Sequence, residues 1–155
     1  MLLSADSLHR NVKQSLQSSF ETQWFNDIDT SNKCLFYKKC KKHFEQEKYV
    51  KILPDMYVIS FMKFRCGNHN LPIEVGRRYN VPRNQRLCTK CNLSALGDEY
   101  HFFMECPHCN NLRTKYISNE ILKPVNTFHF CEIMSSNDKI TLLKIGNFLK
   151  YSKIF

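Results

Sequence analysis

The residues of this chain best suited to chemistry are cysteines and histidines gathered between positions 88 and 109. Cys88 and Cys91 form a C-x2-C pair, which allows two thiolates to reach one ion from a tight turn. His101 follows after nine intervening residues, and Cys106 after four more. Three thiolates and one imidazole suit a tetrahedral Zn2+ ion. We therefore predict a zinc site whose ligands are Cys88, Cys91, His101 and Cys106.

A second ligand set stays open, because Cys106 and Cys109 form another C-x2-C pair. The two pairs are separated by fourteen residues, which is close to the spacing of a zinc ribbon. Cys109 would then replace His101 as a ligand, and His108 is a third alternative. Either set supplies four protein ligands and leaves no position for water, which predicts a structural rather than a catalytic metal.

No catalytic site is predicted elsewhere in the sequence. A redox-active C-x2-C motif normally follows a strand in a βαβ unit, and this sequence has no such pattern. A cysteine nucleophile needs a base and an orienting acid beside its thiol, and a single sequence does not show that proximity. We expect the chain not to be an enzyme, and no small-molecule substrate is evident.

Composition bounds the class of protein. The 155 residues fit one domain, with or without a helical extension. The clustering of half of the eight cysteines favours metal binding in a reducing compartment, so we expect an intracellular protein of the nucleus or cytoplasm. No stretch approaches the ~18–20 apolar residues of a membrane span. The formal net charge of +9 favours a polyanionic partner. The remaining cysteines are predicted to be buried or partly buried thiols: Cys34, Cys40, Cys66 and Cys131.

The N-terminal part is predicted to be helical. Apolar residues recur at every fourth position from Leu8 to Trp24, which indicates an amphipathic helix capped by Asp6 or Ser7. A polar turn is predicted at residues 27–32. Residues 33–51 interleave lysines with aromatic residues, which predicts a further helix with one apolar and one basic face.

The middle of the chain begins with another predicted helix. Pro54 suits its first turn, and Gly67 its end. Proline and glycine then break helical periodicity between residues 71 and 87, where arginines are frequent. We interpret this range as an extended, arginine-rich connector that leads into the zinc site.

The C-terminal part is again predicted to be helical. A helix is expected to leave the site beyond Cys109, residues 124–130 are expected to be irregular, and Asn137 or Asp138 caps a last helix. The predicted fold class is mainly α, with helices flanking a small central Cys3His zinc module. We predict three parts: a helical region at 1–70 with a basic segment at 33–51, the connector and zinc module at 71–110, and C-terminal helices packing on it at 111–155.

Three segments carry a recognisable pattern: KFRCGNHNLPIEVGRRY at 63–79, VPRNQRLC at 81–88 and GDEYHFFMECP at 97–107. The first resembles a signature that follows the polymerase core in reverse transcriptases of non-LTR (LINE-type) retrotransposons. The other two resemble the lead into, and the second half of, the C-terminal zinc motif of that family. The resemblance extends over most of the chain, and it favours His101 and Cys106 over Cys109 as the third and fourth ligands.

The resemblance implies a C-terminal piece of a retroelement reading frame, or a gene derived from one, without polymerase activity. The polymerase palm of the family holds two metal ions with paired aspartates, and this chain contains no Asp-Asp pair. The endonuclease of such elements is absent as well.

The family's zinc-bearing region is thought to hold the element's RNA or target DNA. Guanidinium groups on a proline-bounded segment beside the metal fit that role, because they engage phosphates bidentately. The predicted nucleic-acid-binding residues are Arg77, Arg78, Arg83, Arg86 and Lys90. The alternative function is a structural or protein-interaction domain that docks on a reverse-transcriptase core or on another protein.

Overall fold

The structure is a computed structural model that describes residues 4–33 and 35–155. Within these ranges the fold is mainly α, as predicted: there is no strand, and Leu87 and Leu96 form an isolated antiparallel bridge. The helices in chain order are α1 (Ala5–Thr30), α2 (Tyr37–Cys40), α3 (Tyr49–Ile52), α4 (Asp55–Arg65), α5 (Pro72–Arg78), α6 (Asn110–Tyr116), α7 (Asn119–Leu122), α8 (Thr127–Met134) and α9 (Lys139–Tyr151). Short 3-10 turns lie at Arg83–Gln85 and Pro107–Cys109, and a π-helical turn lies at His101–Glu105.

Helix α1 forms where the four-residue apolar repeat predicted a helix. Its N-cap is Ser4 rather than Asp6 or Ser7, because the Ser4 hydroxyl accepts a hydrogen bond from the N–H of Ser7. The predicted polar turn at 27–32 is wrong in its first part, since α1 continues into it. Among the helices of residues 4–33 and 35–155, none is both long and apolar enough to cross a membrane.

The sequence predicted a single helix over the lysine-rich segment 33–51, and this prediction is wrong. The segment forms the two short helices α2 and α3, separated by turns. Phe36 directly before α2 stacks on Phe130 of α8 with ring centroids 4.8 Å apart, whereas α3 packs against α4 and α9. The two ends of the segment therefore pack on different partners, and these tertiary contacts override the local periodicity.

The predicted signals at two helix ends are confirmed. Gly67 follows α4 with a φ of +64°, in the left-handed region that glycine adopts without strain. Asp138 caps α9, because its carboxylate accepts a hydrogen bond from the N–H of Thr141 at 2.7 Å. Pro54 occupies the N-cap of α4, one position before the first turn.

The extended connector predicted at 71–87 is wrong, because α5 and a 3-10 turn occupy most of it. Pro72 is the first residue of α5, where a missing N–H costs no intrahelical hydrogen bond. The prediction of an irregular 124–130 also fails in its second half, since α8 begins at Thr127. The predicted helix beyond Cys109 is present as α6.

An aromatic core joins the helices to the region of the predicted zinc site. Phe103 and Phe148 are fully buried, and their ring centroids are 5.2 Å apart. Phe102 packs on the same Phe148 ring at 5.3 Å. Helix α9, which carries Phe148, packs mainly on α4 and α6. The residues that flank His101 are thus anchored in the main core.

The scattered cysteines are thiols of the protein interior, as predicted for those the structure describes. Cys40 is buried, and Cys66 and Cys131 are half-buried. Cys34 lies outside the described residues.

Candidate metal centre

Four side chains between residues 88 and 106 bring their donor atoms together. The thiols of Cys88, Cys91 and Cys106 and the ring of His101 place these atoms within 4.8 Å of one another. The Sγ atoms of Cys88 and Cys106 are 3.8 Å apart, and Nε2 of His101 lies 3.3 Å from the Cys91 Sγ. A tetrahedral ion with bonds of about 2.0–2.3 Å sets its ligands roughly 3.5–3.8 Å apart. The two printed pairs lie near this separation and all four donors lie within 4.8 Å of one another, so the group could hold one metal ion.

The C-x2-C pair is held by a narrow turn of backbone. The N–H of Cys88 donates to the carbonyl oxygen of Ala95 at 2.8 Å, and the N–H of Gly97 donates to that of Arg86 at 2.9 Å. Ser94 has a φ of +50°, in the left-handed region, which allows the chain to reverse between the C-x2-C pair and residues 95–97. This closure holds the backbone of Cys88 in place and keeps Cys91 within the same closed turn.

The π-helical turn explains the spacing between the other two ligands. Residues five apart in an α-helix point about 140° away from each other. Here the N–H of Cys106 donates to the carbonyl oxygen of His101 at 2.7 Å, an i→i+5 bond that widens the turn. Asp98 caps this turn, since its Oδ1 accepts from the N–H of His101 at 3.0 Å. The wider turn brings Cys106 back beside His101.

The second ring nitrogen of His101 faces a carboxylate. Nδ1 is buried, has no hydrogen-bond partner among the described residues, and lies 3.7 Å from Oε2 of Glu105. Histidines that ligate metals commonly direct their other nitrogen at such a group, which fixes the tautomer and the ring orientation. This arrangement suits Nε2 of His101 as the ligand atom.

The thiols of Cys88 and Cys106 differ in acidity. Burial raises the pKa of Cys88, but N–H groups of Lys90 and Cys91 donate to its sulfur and bring the pKa below its ordinary value. Burial raises the pKa of Cys106 to about 12. Since metals bind the thiolate, an ion bound here would have to displace a proton from Cys106, and this displacement would become easier as the pH rises.

Cys109, the alternative ligand, lies outside the group of mutually close donors. Its thiol is buried, which raises its pKa, and its N–H donates to the carbonyl oxygen of Cys106 at 3.1 Å. The geometry therefore favours the Cys3His set over the zinc-ribbon set. An ion held by all four Cys3His donors has a filled tetrahedral shell, and such a centre stabilises a fold rather than activating water.

A buried arginine that sequence reasoning missed supports the ligand turn. Arg113 donates from Nε to the carbonyl oxygen of Phe103 at 2.8 Å and from Nη2 to that of Cys106 at 3.0 Å. Arg113 is buried, and burial lowers its pKa. No sequence spacing marks this role, because the acceptors are backbone atoms of another turn.

A second buried contact ties the loop after α4 to the metal centre. Nε2 of His69 lies 3.1 Å from Oε1 of Glu99, and both residues are buried. The N–H of Leu71 donates to Nδ1 of the same ring, so Nε2 carries the proton and donates to the carboxylate. His69 lies in the loop between α4 and α5, so this contact ties that loop to the helical turn that begins at Glu99.

Comparison with known proteins adds no relative. No protein-family model matches this chain, and neither the curated proteins nor the solved structures contain a match to it. The resemblance to retrotransposon reverse transcriptases therefore stays a prediction.

Three of the five residues predicted to bind nucleic acid form hydrogen bonds or ion pairs with other residues of this protein. Arg77 forms an ion pair with Glu74 at 2.8 Å. Arg78 and Arg86 donate to backbone carbonyl oxygens at 3.0 and 2.8 Å. Their guanidinium groups thus hold α5 and the loop after it in place, which occupies part of their donor capacity.

Arg83 and Lys90 are exposed and differ from the other three in their contacts. Neither side chain makes a hydrogen bond to the residues in 4–33 and 35–155. Of the five predicted contacts, these two have charged groups that are most available to an external phosphate.

A cleft of about 530 Å3 borders three of the four candidate metal donors, Cys88, His101 and Cys106. Lys90, His108 and Lys153 line it, together with the exposed ring of Tyr151. Tyr151 stacks on Tyr116 with centroids 5.2 Å apart. Sequence reasoning did not find this cleft, because its lining combines residues 70–72, the metal-binding segment and the distant C-terminus.

Proposed function

We propose that this chain is a zinc-stabilised nucleic-acid-binding module for RNA or DNA, without polymerase or endonuclease activity of its own. Zn2+ is the proposed ion because three thiolates and one imidazole in a tetrahedral arrangement match its preferred ligands. The observation that carries the proposal is the basic cleft beside the metal donors. The metal would hold the segments of Lys90 and His108, which form one wall of that cleft.

The chemistry of the cleft fits a single strand. Lys90 and Lys153 supply charge for phosphates, and Tyr151 exposes part of an aromatic ring. Single-stranded sites combine a positively charged groove with aromatic rings on which bases stack. Two further lysines flank the stacked tyrosines, Lys115 near Tyr116 and Lys150 near Tyr151, which extends the positive surface beyond the cleft.

The test is an anisotropy titration of the zinc-loaded chain with labelled single-stranded RNA and DNA. We expect affinity to fall about tenfold or more between about 50 and 200 mM salt, because bound phosphates release counterions. The changes Lys90→Glu and Lys153→Glu should each weaken binding and lower the salt slope by about one unit. The matched control is Lys139→Glu, which reverses an exposed charge outside the cleft.

Two results would contradict the proposal. One is binding that does not weaken with salt. The other is an equal loss of affinity in Lys90→Glu and Lys139→Glu, since that would assign binding to net charge and not to the cleft.

A second candidate function, protein interaction, is favoured by a specific feature of α1. This helix exposes a row of apolar side chains and has no buried residue. Binding at α1 and binding at the cleft involve different surfaces, so the two functions are compatible.

A further inference from the structure

Helices α2 and α8 pack against each other, and two contacts fix how their faces align. Directly before α2, Phe36 stacks on Phe130 with ring centroids 4.8 Å apart. One helical turn further along, the carbonyl oxygen of Cys40 accepts a hydrogen bond from the hydroxyl of Ser135 at 3.1 Å. The part of α8 between these two contacts therefore lies beside Cys40, and Cys131 is its first residue.

Two cysteines meet in this interface. Cys131 precedes Ser135 by one helical turn, so both side chains lie on the face of α8 that is directed at α2. The thiol of Cys40 donates a hydrogen bond to the sulfur of Cys131. Cys40 is buried, whereas Cys131 is half-buried. The pair therefore combines a partly accessible sulfur with a second, shielded sulfur beside it.

The surroundings of the pair carry an excess of positive charge. Arg65 and Lys41 are both buried, and both pair with the carboxylate of Glu47, at 2.9 and 3.2 Å. Two buried cations thus share one anion. The positive charges of Arg65, Lys39 and Lys42 act on Cys131. An anionic sulfur reduces the excess, so these surroundings favour a thiolate.

The hydrogen bond gives the two sulfurs different roles. Cys40 keeps its proton, because the bond to Cys131 and burial raise its pKa. Cys131 accepts that bond, and the nearby cations help to lower its pKa to about 7. A thiolate that is partly accessible and lies next to a second thiol is typical of cysteines that react with peroxides.

A cleft beside the pair is wide enough for a small oxidant. It has a volume of about 240 Å3, and its lining includes Cys40, Ser135, Lys42 and Arg65. One water molecule takes up about 30 Å3 in the liquid, so the cleft admits a molecule the size of hydrogen peroxide.

We propose that Cys131 and Cys40 form a peroxide-sensitive dithiol, which is oxidised reversibly to a disulfide between α8 and α2. The Cys131 thiolate attacks one oxygen of hydrogen peroxide, an S–O bond forms as the O–O bond breaks, and the departing hydroxide takes up a proton from solvent. The sulfur of Cys40 then attacks the sulfenic sulfur of Cys131. The S–S bond forms as the S–O bond breaks, and the second hydroxide leaves with the Cys40 proton as water. Two electrons pass from the thiols to the peroxide, which becomes two water molecules.

Peptide mapping of the zinc-loaded full chain after treatment with an equimolar amount of hydrogen peroxide tests the proposal. We expect a disulfide-linked peptide that contains Cys40 and Cys131 and that dithiothreitol separates. In Cys40→Ser the sulfenic acid of Cys131 has no thiol partner, so its labelling by dimedone should exceed that of wild type by about tenfold or more. In Cys131→Ser the thiol of Cys40 should stay unoxidised, because it keeps its proton.

The matched control is Cys66→Ser, which removes another half-buried thiol and should leave formation of the disulfide unaltered. The proposal is overturned if Cys131 reacts with peroxide no faster than Cys66. It is also overturned if dimedone labels Cys131 equally in wild type and in Cys40→Ser, since Cys40 would then not react with the sulfenic acid. Loss of zinc before the disulfide forms would likewise overturn it, because the metal ligands would then be the thiols that peroxide oxidises first.

Discussion

The guanidinium group of Arg113 lies across the end of the turn that carries His101 and Cys106, where its Nη2 donates to the carbonyl oxygen of Cys106 at 3.0 Å. The last carbonyl groups of a helical turn have no intrahelical partner, and burying them unpaired is costly. Arg113 also reaches the carbonyl oxygen of Phe103, so it holds the backbone that presents both His101 and Cys106. Protein contacts therefore set part of the ligand geometry.

Replacing this arginine should destabilise the metal centre. We expect Arg113→Ala to lower the free energy of unfolding by about 2–4 kcal/mol, because it leaves buried carbonyl oxygens without donors. The matched change Lys115→Ala alters an exposed side chain on the same helix and should stay within about 0.5 kcal/mol of wild type. Urea unfolding of the zinc-loaded protein measures both values. Equal stabilities for the two variants would contradict this role of Arg113.

A close approach between Gly97 and Pro72 joins α5 to the turn that carries the C-x2-C pair. A Cβ atom on Gly97 would lie 2.7 Å from Cγ of Pro72, whose ring cannot rotate away. We expect Gly97→Ala to destabilise the protein by about 1–3 kcal/mol through overpacking.

A double-mutant cycle checks the cause of that loss. Pro72→Ala removes Cγ and Cδ, two of the three atoms that a new Cβ would meet. Gly97→Ala should therefore cost less stability in the Pro72→Ala background than in wild type. Additive effects of the two substitutions would show that the contact is not the reason.

Local signals in the sequence predicted those features of the fold that depend on neighbouring residues. The four-residue repeat predicted α1, Gly67 predicted the end of α4, and Asp138 was one of two predicted caps for α9. The spacing of cysteine and histidine predicted the donor set that the structure brings together. The helix signals depend on residues within one or two turns of each other. The donor set depends on the narrow range of ligand geometries that a metal ion accepts.

The features that sequence reasoning missed depend on contacts between distant residues. Pro72 reads as a helix breaker, but at the first position of α5 it is compatible with a helix. Arg86 was predicted to contact nucleic acid, but its Nε donates to the carbonyl oxygen of Val81 at 2.8 Å. No local signal in the sequence indicates this bond. The role of Arg113 likewise requires a carbonyl group that only the folded chain places within reach.

Cys131 should be unusually reactive near neutral pH. A hydrogen bond from Cys40 lowers its pKa most, and the charges of Lys39, Lys42 and Arg65 lower it further, to about 7. Because the thiolate is the nucleophile, its alkylation rate should rise with pH and reach half its maximum near pH 7. Mass spectrometry after timed iodoacetamide labelling measures the rate at this site.

The control variant removes the thiol of Cys40, which donates the hydrogen bond to Cys131. Cys40→Ala abolishes the hydrogen bond to Cys131, so the midpoint of the alkylation profile should move to higher pH. The interpretation fails if wild type and Cys40→Ala have the same midpoint.

The zinc content of purified ligand variants tests the central claim most directly. Wild type and Cys109→Ser should each retain one equivalent of zinc after exhaustive dialysis against a weak chelator. Cys88→Ser, Cys106→Ser and His101→Ala should lose most of it, and a strong chelator should unfold the wild-type segment around the site, because ligation energy contributes to folding. Retention of one equivalent by His101→Ala together with loss of zinc from Cys109→Ser would contradict the Cys3His centre.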